Sequence, residues 1–237
     1  MKNGLMAFKF LTIWSRFNRV QMSPDLVGKA VCCYPVVGIA LGLVLASLNR
    51  VSEPYLESEI LSVVIITTLI IMTGAIHLEG LQKTFDTVPA RTNSPNRTAQ
   101  PMGIYGLLAI LLVVLFKIRS IEVVGETRSL SLLLTPVYAR WALVIFLYGS
   151  TSAADETARV IAENVRAWHL LLTTAATLTF AGLLIGRLGL WIGLCLSLLA
   201  LLSRSYLQRR HSGIGYHDLG ALVELSETLS FILFASL

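Results

Sequence analysis

Val31-Cys-Cys-Tyr-Pro-Val-Val-Gly-Ile-Ala-Leu-Gly-Leu-Val-Leu-Ala-Ser-Leu48 contains no charged side chain over its whole length. A helix rises ~1.5 Å per residue, so a run of this kind is long enough to cross most of a hydrocarbon layer of about 30 Å. Working outward, comparable runs lie near 60–76, 103–121, 129–149, 168–185, 187–203 and 219–237. Together they predict an all-α, polytopic membrane protein of about seven transmembrane spans, with residues 1–237 forming one membrane-embedded domain. Composition agrees: 55% of the 237 residues are hydrophobic and only 14% are charged, against about 25% charged in soluble domains. Pro35 and Pro136 fall inside predicted spans, where neighbouring helices can satisfy the backbone groups they free. The segment Met1 to Trp14 carries Lys9 in a short apolar stretch without a small-residue cleavage site, which predicts an interfacial amphipathic helix rather than a removed signal.

Charge and cysteine content narrow the function. The formal net charge is +5, but the basic residues flank apolar runs and form no stripe interleaved with aromatics, so no nucleic-acid partner is expected. With seven spans the N-terminus shares a side with loops 77–102, 150–167 and 204–218. Most of the 19 Lys and Arg residues fall there, and only Arg50, Lys117, Arg119, Arg128 and Arg187 fall opposite. The positive-inside rule makes the first side cytoplasmic, in an inner (cytoplasmic) membrane. Cys32, Cys33 and Cys195 lie in apolar runs with no metal-ligand spacing, and buried free thiols are expected. No inverted repeat suggests a transporter, and no G-x-S-x-G, H-E-x-x-H or P-loop is present.

Three polar stretches interrupt the runs. In Thr73-Gly-Ala-Ile-His-Leu-Glu-Gly-Leu-Gln-Lys-Thr-Phe-Asp86, a continuing helix puts Glu79, Lys83 and Asp86 on one face at i, i+4 and i+7. Two carboxylates there suit Mg²⁺, a hard cation that takes oxygen ligands and shares them with substrate phosphates; Lys83 suits a phosphate directly. A solvated face with a Glu–Lys pair is the plainer reading of the same spacing. The second stretch, Arg91 to Gly106, offers Arg91 and Arg97 as phosphate clamps, and Gly103 and Gly106 where backbone or ligand comes close. In the third, Ser212-Gly-Ile-Gly-Tyr-His-Asp-Leu-Gly-Ala-Leu-Val-Glu-Leu-Ser-Glu227, a Gly-rich turn enters the last span, whose N-terminus would favour anions. Glu224 and Glu227 then sit within an apolar helix, with Arg140 as the candidate partner, either for function or as a structural clamp.

In order and spacing these stretches resemble the cobalamin synthase family, membrane enzymes that join adenosylcobinamide-GDP to α-ribazole. The resemblance runs through Phe10-Leu-Thr, Tyr34-Pro-Val-Val-Gly38, Thr73 to Leu81, Gly103-Ile-Tyr-Gly106, Ala139-Arg-Trp141 and Leu219 to Glu227. Departures lie in the polar motifs. Where the family reads H-L-D-G-L-A-D-T-x-D-G, this chain has Glu79 and Lys83 for two aspartates and keeps Asp86. Ala99 to Gly106 lacks the acid and arginine of D-S-R-x-G-T-x-G, and His217-Asp218 displaces by one position the carboxylate of T-G-D-x-L-G-A. The resemblance implies attack of an α-ribazole (or 5′-phosphate) hydroxyl on the phosphorus attached to cobinamide, with GMP expelled. It implies Mg²⁺ held by Glu79, Asp86 and Asp218, and a catalytic set of His77, Lys83 and His217 with a histidine accepting the proton. Substrate contacts would come from Arg91, Arg97, Gly103, Gly106, Arg140, Gly220, Glu224 and Glu227. The expected partners are the corrinoid nucleotide, α-ribazole and the lipid bilayer, and a homo-oligomer is compatible with such a chain. The competing class is a membrane scaffold or corrinoid-binding protein that kept the fold without turnover. A CDP-alcohol phosphotransferase is disfavoured, because its paired-aspartate arrangement is absent.

Overall fold

A computed structural model describes residues 2–14, 23–87, 103–150, 154–210 and 213–236, and no strand occurs among them. The helices in chain order are α1 (Lys2–Leu11), α2 (Pro24–Lys29), α3 (Tyr34–Ser52), α4 (Ser58–Thr73) and α5 (Ile76–Thr87). They continue with α6 (Ile104–Val123), α7 (Arg128–Leu147), α8 (Glu156–Glu163), α9 (Ala167–Ile185), α10 (Arg187–Arg210) and α11 (Tyr216–Ser236). Six of these are long and apolar enough to cross a membrane alone, and α4 with α5 would add a seventh if that bent pair counts as one span. The expected all-α polytopic architecture is therefore present.

Helix α7 is the hub. Its apolar window is 89% buried, against 22% for α9 and 28% for α10, so α7 forms the protein core while α9 and α10 present leucine-rich faces to lipid. Small residues let α3 lie against it: a Cβ added at Gly38 would sit 2.6 Å from the Pro136 carbonyl oxygen, and one at Gly42 would overlap the Leu133 carbonyl. Pro136 is accommodated without ending α7, as expected.

The second span breaks sharply. Gly74 and Ala75 both have positive φ, 63° and 56°, and the Gly74 N–H bonds to Ile71 O while the Ala75 N–H bonds to Ile70 O, both at 3.0 Å. This is the 5→2 and 6→1 pairing that closes a helix at a left-handed glycine. The chain turns by 88° into α5. The helix anticipated to run through this stretch thus stops at Thr73, and Glu79, Lys83 and Asp86 lie on a separate helix nearly perpendicular to α4. Helix α4 alone covers about 24 Å at ~1.5 Å per residue. Its far end is tied to neighbouring spans, since Ser58 Oγ donates to the Glu122 carbonyl at 3.0 Å and Arg128 donates to Ser58 and Ser62 at 2.9 Å each. At the other end Ile13 N–H bonds to Met72 O at 2.8 Å, fastening the chain after α1 beside the break.

This topology gathers α1, α2, α5, α8 and the first turns of α6 and α11 on one face, bringing the first and third polar stretches together with Gly103 to Gly106, the described end of the second. Helix α1 buries Ala7, Phe10 and Leu11 and exposes Leu5, the one-sided pattern of an interfacial helix. The cysteines are free as expected, but all three are half-buried rather than buried, because the spans carrying them each have a partly open side.

Candidate active site

A cleft of about 670 Å³ opens on this face. Helix α5 supplies Gln82, Lys83, Thr84 and Asp86, the start of α6 supplies Gly103 and Tyr105, and the start of α11 supplies Gly215 to Asp218. Phe10 of α1, Val27 of α2, and Asp155, Thr157 and Ile161 at α8 close the remaining walls. The volume is in the range of small-molecule sites.

The carboxylates of the cleft are organised by backbone N–H groups. Helix α6 begins at Gly103, which has no side chain to cap it, and Asp86 of α5 takes that role. Its Oδ2 accepts the Gly103 N–H at 2.9 Å and a Gln82 amide hydrogen at 3.0 Å, and its Oδ1 accepts the Gly106 N–H at 2.7 Å. Partial desolvation pulls the Asp86 pKa up, but Gln82 and the two backbone donors outweigh it and hold the carboxyl below its ordinary value. Gly103 and Gly106 are needed for this approach, because a Cβ at Gly106 would lie 2.6 Å from Asp86 Oδ2. At α11, Asp218 accepts the Gly215 N–H at 2.7 Å, reaching back to the residue before the helix, and also the Thr84 hydroxyl at 2.7 Å. The helix N-termini that favour anions are thus occupied by the chain's own carboxylates.

Elsewhere on α5, Lys83 and Glu79 form a 2.7 Å ion pair at i, i+4 with both side chains partly exposed, so the plainer reading of that spacing is realised in the geometry. Glu79, Asp86 and Asp218 do not converge: among the described residues no three His, Cys, Asp or Glu side chains are grouped to hold a metal ion. Asp86 and Asp218 do open on the same cleft. The two histidines differ. His217 lines the cleft, whereas His77 lies beneath it, 5% exposed, with Nε2 unpartnered beside a small cavity of about 20 Å³ that His217 also touches. Gly220 packs against α5: a Cβ there would be 3.0 Å from the His77 carbonyl oxygen, and one at Gly80 would be 2.6 Å from that of His217. These two glycines let α5 and α11 touch backbone to backbone, which sets where both histidines stand.

Arg140, Glu224 and Glu227 lie in the bundle core, not on the cleft, at 0%, 5% and 1% exposure. Arg140 pairs with Glu227 as expected. The missing member is Lys117, whose ammonium lies 2.6 Å from both Glu224 and Glu227. Sequence reasoning puts Lys117 inside the 103–121 run and counts it among the far-side cations, without pairing it; it is 3% exposed, and its signal was a lysine in an apolar run matched by two intramembrane glutamates. Asp155 was also missed, although an aspartate opening the Glu156–Glu163 helix is an ordinary capping signal. Arg91 and Arg97 lie outside the described residues.

The arrangement therefore comprises a cleft lined, among the described residues, by Lys83, His217 and three aspartates, above a neutralised ionic core. Comparison with known proteins gives it a context. The family model described as Cobalamin-5-phosphate synthase matches residues 3–235. The adenosylcobinamide-GDP ribazoletransferase of Syntrophobacter fumaroxidans is 32% identical over 88% of this chain and 87% of its own length. That of Pseudomonas paraeruginosa is 31% identical over 96% and 95%, and that of Geotalea daltonii 25% identical over 94% and 93%. No solved structure matches. With the family model spanning both the helical scaffold and all three polar stretches, the chain belongs to the cobalamin-5-phosphate synthase family.

Proposed function

We propose that this protein is a membrane transferase that joins adenosylcobinamide-GDP to α-ribazole or its 5′-phosphate, releasing GMP. The observation that carries the proposal is that the family match spans the chain and its motif residues Lys83, Asp86, His217 and Asp218 line one cleft of substrate size. In the transfer, a ribose hydroxyl oxygen of α-ribazole bonds to the phosphorus attached to cobinamide. The bond from that phosphorus to the bridging oxygen of GMP breaks, and GMP leaves with the electron pair.

His217 takes the hydroxyl proton: it lines the cleft, and burial together with the nearby Lys83 ammonium lowers its pKa, which keeps the imidazole neutral and able to accept. His77 is too buried to meet substrate and supports the cleft floor. Lys83, steadied by Glu79, offers its ammonium to the diphosphate, and Arg91 and Arg97 are the further cations assigned to it. A diphosphate entering a cleft with three aspartates needs a cation between them, and oxygen donors on Asp86 and Asp218 suit Mg²⁺ completed by substrate oxygens. When bound, Mg²⁺ neutralises developing phosphate charge. The Lys and Arg distribution supports an inner-membrane protein with a cytoplasmic N-terminus and cleft.

A strain lacking its own cobalamin synthase tests the reading. Expression of this chain should restore growth that requires cobalamin made from cobinamide, and the His217→Ala variant should not. Failure of the expressed, membrane-inserted wild type to support growth contradicts it.

A further inference from the structure

The segments leading into α8 and α11 meet at Asp155, a residue outside the motif stretches. Its Oδ1 accepts the Ala158 N–H at 2.8 Å and so caps α8, while its Oδ2 accepts the Tyr216 N–H at 2.6 Å in the first turn of α11. Beside it the Ala154 N–H donates to the Ile214 carbonyl at 2.8 Å. Helix α8 is seated in turn on α2, where a Cβ at Gly28 would lie 2.6 Å from the Ile161 carbonyl oxygen. One wall of the cleft, with Val27, Thr157 and Ile161, is therefore joined to the wall carrying His217 and Asp218 by the Asp155 carboxylate, beside the Ala154–Ile214 backbone bond.

We infer that Asp155 is a positioning residue for the transferase site, fixing the separation between the α2–α8 wall and the start of α11. It acts through the Tyr216 backbone and not on substrate. The inference rests on the cleft being the site of transfer. Bridging is what an aspartate does here and its isosteric amide cannot: Asp and Asn cap helices equally well, but Asn has one acceptor oxygen where Asp has two.

Asp155→Asn separates the roles, because α8 keeps its cap while the bond from Tyr216 N–H is lost. In purified protein the expected result is a KM for the nucleotide substrate raised about tenfold with kcat changed less than about threefold, since a displaced wall misplaces substrate before chemistry. Hydrogen exchange at the Tyr216 amide should quicken about tenfold while α8 amides keep wild-type rates. Asp155→Ala should reproduce the KM effect and also speed exchange in α8. A wild-type KM in Asp155→Asn overturns the inference, leaving at most a structural bond if Tyr216 exchange quickens and no bridge if it does not. Absence of turnover in the wild type contradicts the transferase reading instead, and the Tyr216 exchange rate then still reports whether the bridge exists.

Discussion

Two groups of charged side chains lie within one bundle and are neutralised in different ways. On the membrane face Asp86, Asp155 and Asp218 are held mainly by backbone N–H groups at helix starts and look into a polar cleft. In the core, Lys117 and Arg140 are held by Glu224 and Glu227 with almost no exposure. The difference teaches that a charge inside an apolar helix is not by itself a site residue. Glu224 and Glu227 carry the stronger intramembrane signal, yet they close on side-chain cations, whereas the aspartates keep their position beside open volume. A substitution in the core should then be read in folding, and one in the cleft in activity.

The largest effect follows from breaking the core. Lys117→Met leaves Glu224 buried without its cation, and removing one partner of a buried pair costs about 3–5 kcal/mol. Detergent-solubilised Lys117→Met should show little monodisperse protein and a strongly lowered Tm. Adding Glu224→Gln removes the stranded charge and leaves Arg140 with Glu227, so the double variant should regain most of the lost stability; equal loss in both would show that charge balance does not govern the core.

Next comes the α5–α11 contact. Gly80→Ala forces a methyl group against the His217 carbonyl, and overpacking of this kind costs about 1–3 kcal/mol. Because the strain falls on the backbone that aims His217, thermal stability and turnover should fall together, which paired Tm and GMP-release measurements would check. Asp86→Ala should lower stability by about 0.5–2 kcal/mol, the usual cost of a lost helix cap, and should also weaken substrate binding. The smallest stability effect belongs to Lys83→Met. Its exposed helix pair with Glu79 is worth under ~0.5 kcal/mol, so Tm should barely move while turnover drops at least about tenfold.

Much of the scaffold was legible because membrane physics imposes a coarse rule: long uncharged runs must be helical, and the runs fall on the six spanning helices and on α4. The accommodation of Pro136 inside a helix followed from the same rule. The break at Thr73 was not anticipated, because a lone glycine in an apolar run does not announce the left-handed turn that Gly74 and Ala75 adopt. In the site, motif residues on α5 and α11 could be listed, but which of them face the cleft depends on the 88° bend and on the Gly80–Gly220 contact. His77 and His217 look equivalent in sequence and differ only in depth. The pairing of Lys117 with Glu224 and Glu227 was missed because the partners lie more than 100 residues apart in sequence. Asp155 was passed over because its partner at Tyr216 is distant in sequence.

The central claim, that activity resides in the cleft while the buried ions serve the fold, is tested most directly by GMP release per folded molecule. Purified wild type, Lys83→Met, His217→Ala and Lys117→Met/Glu224→Gln would be given both substrates and Mg²⁺. GMP is expected from the wild type and the core double variant, with loss in the two cleft variants at near wild-type Tm. Undiminished GMP release from Lys83→Met and His217→Ala, or none from folded wild type under any divalent metal, would contradict it.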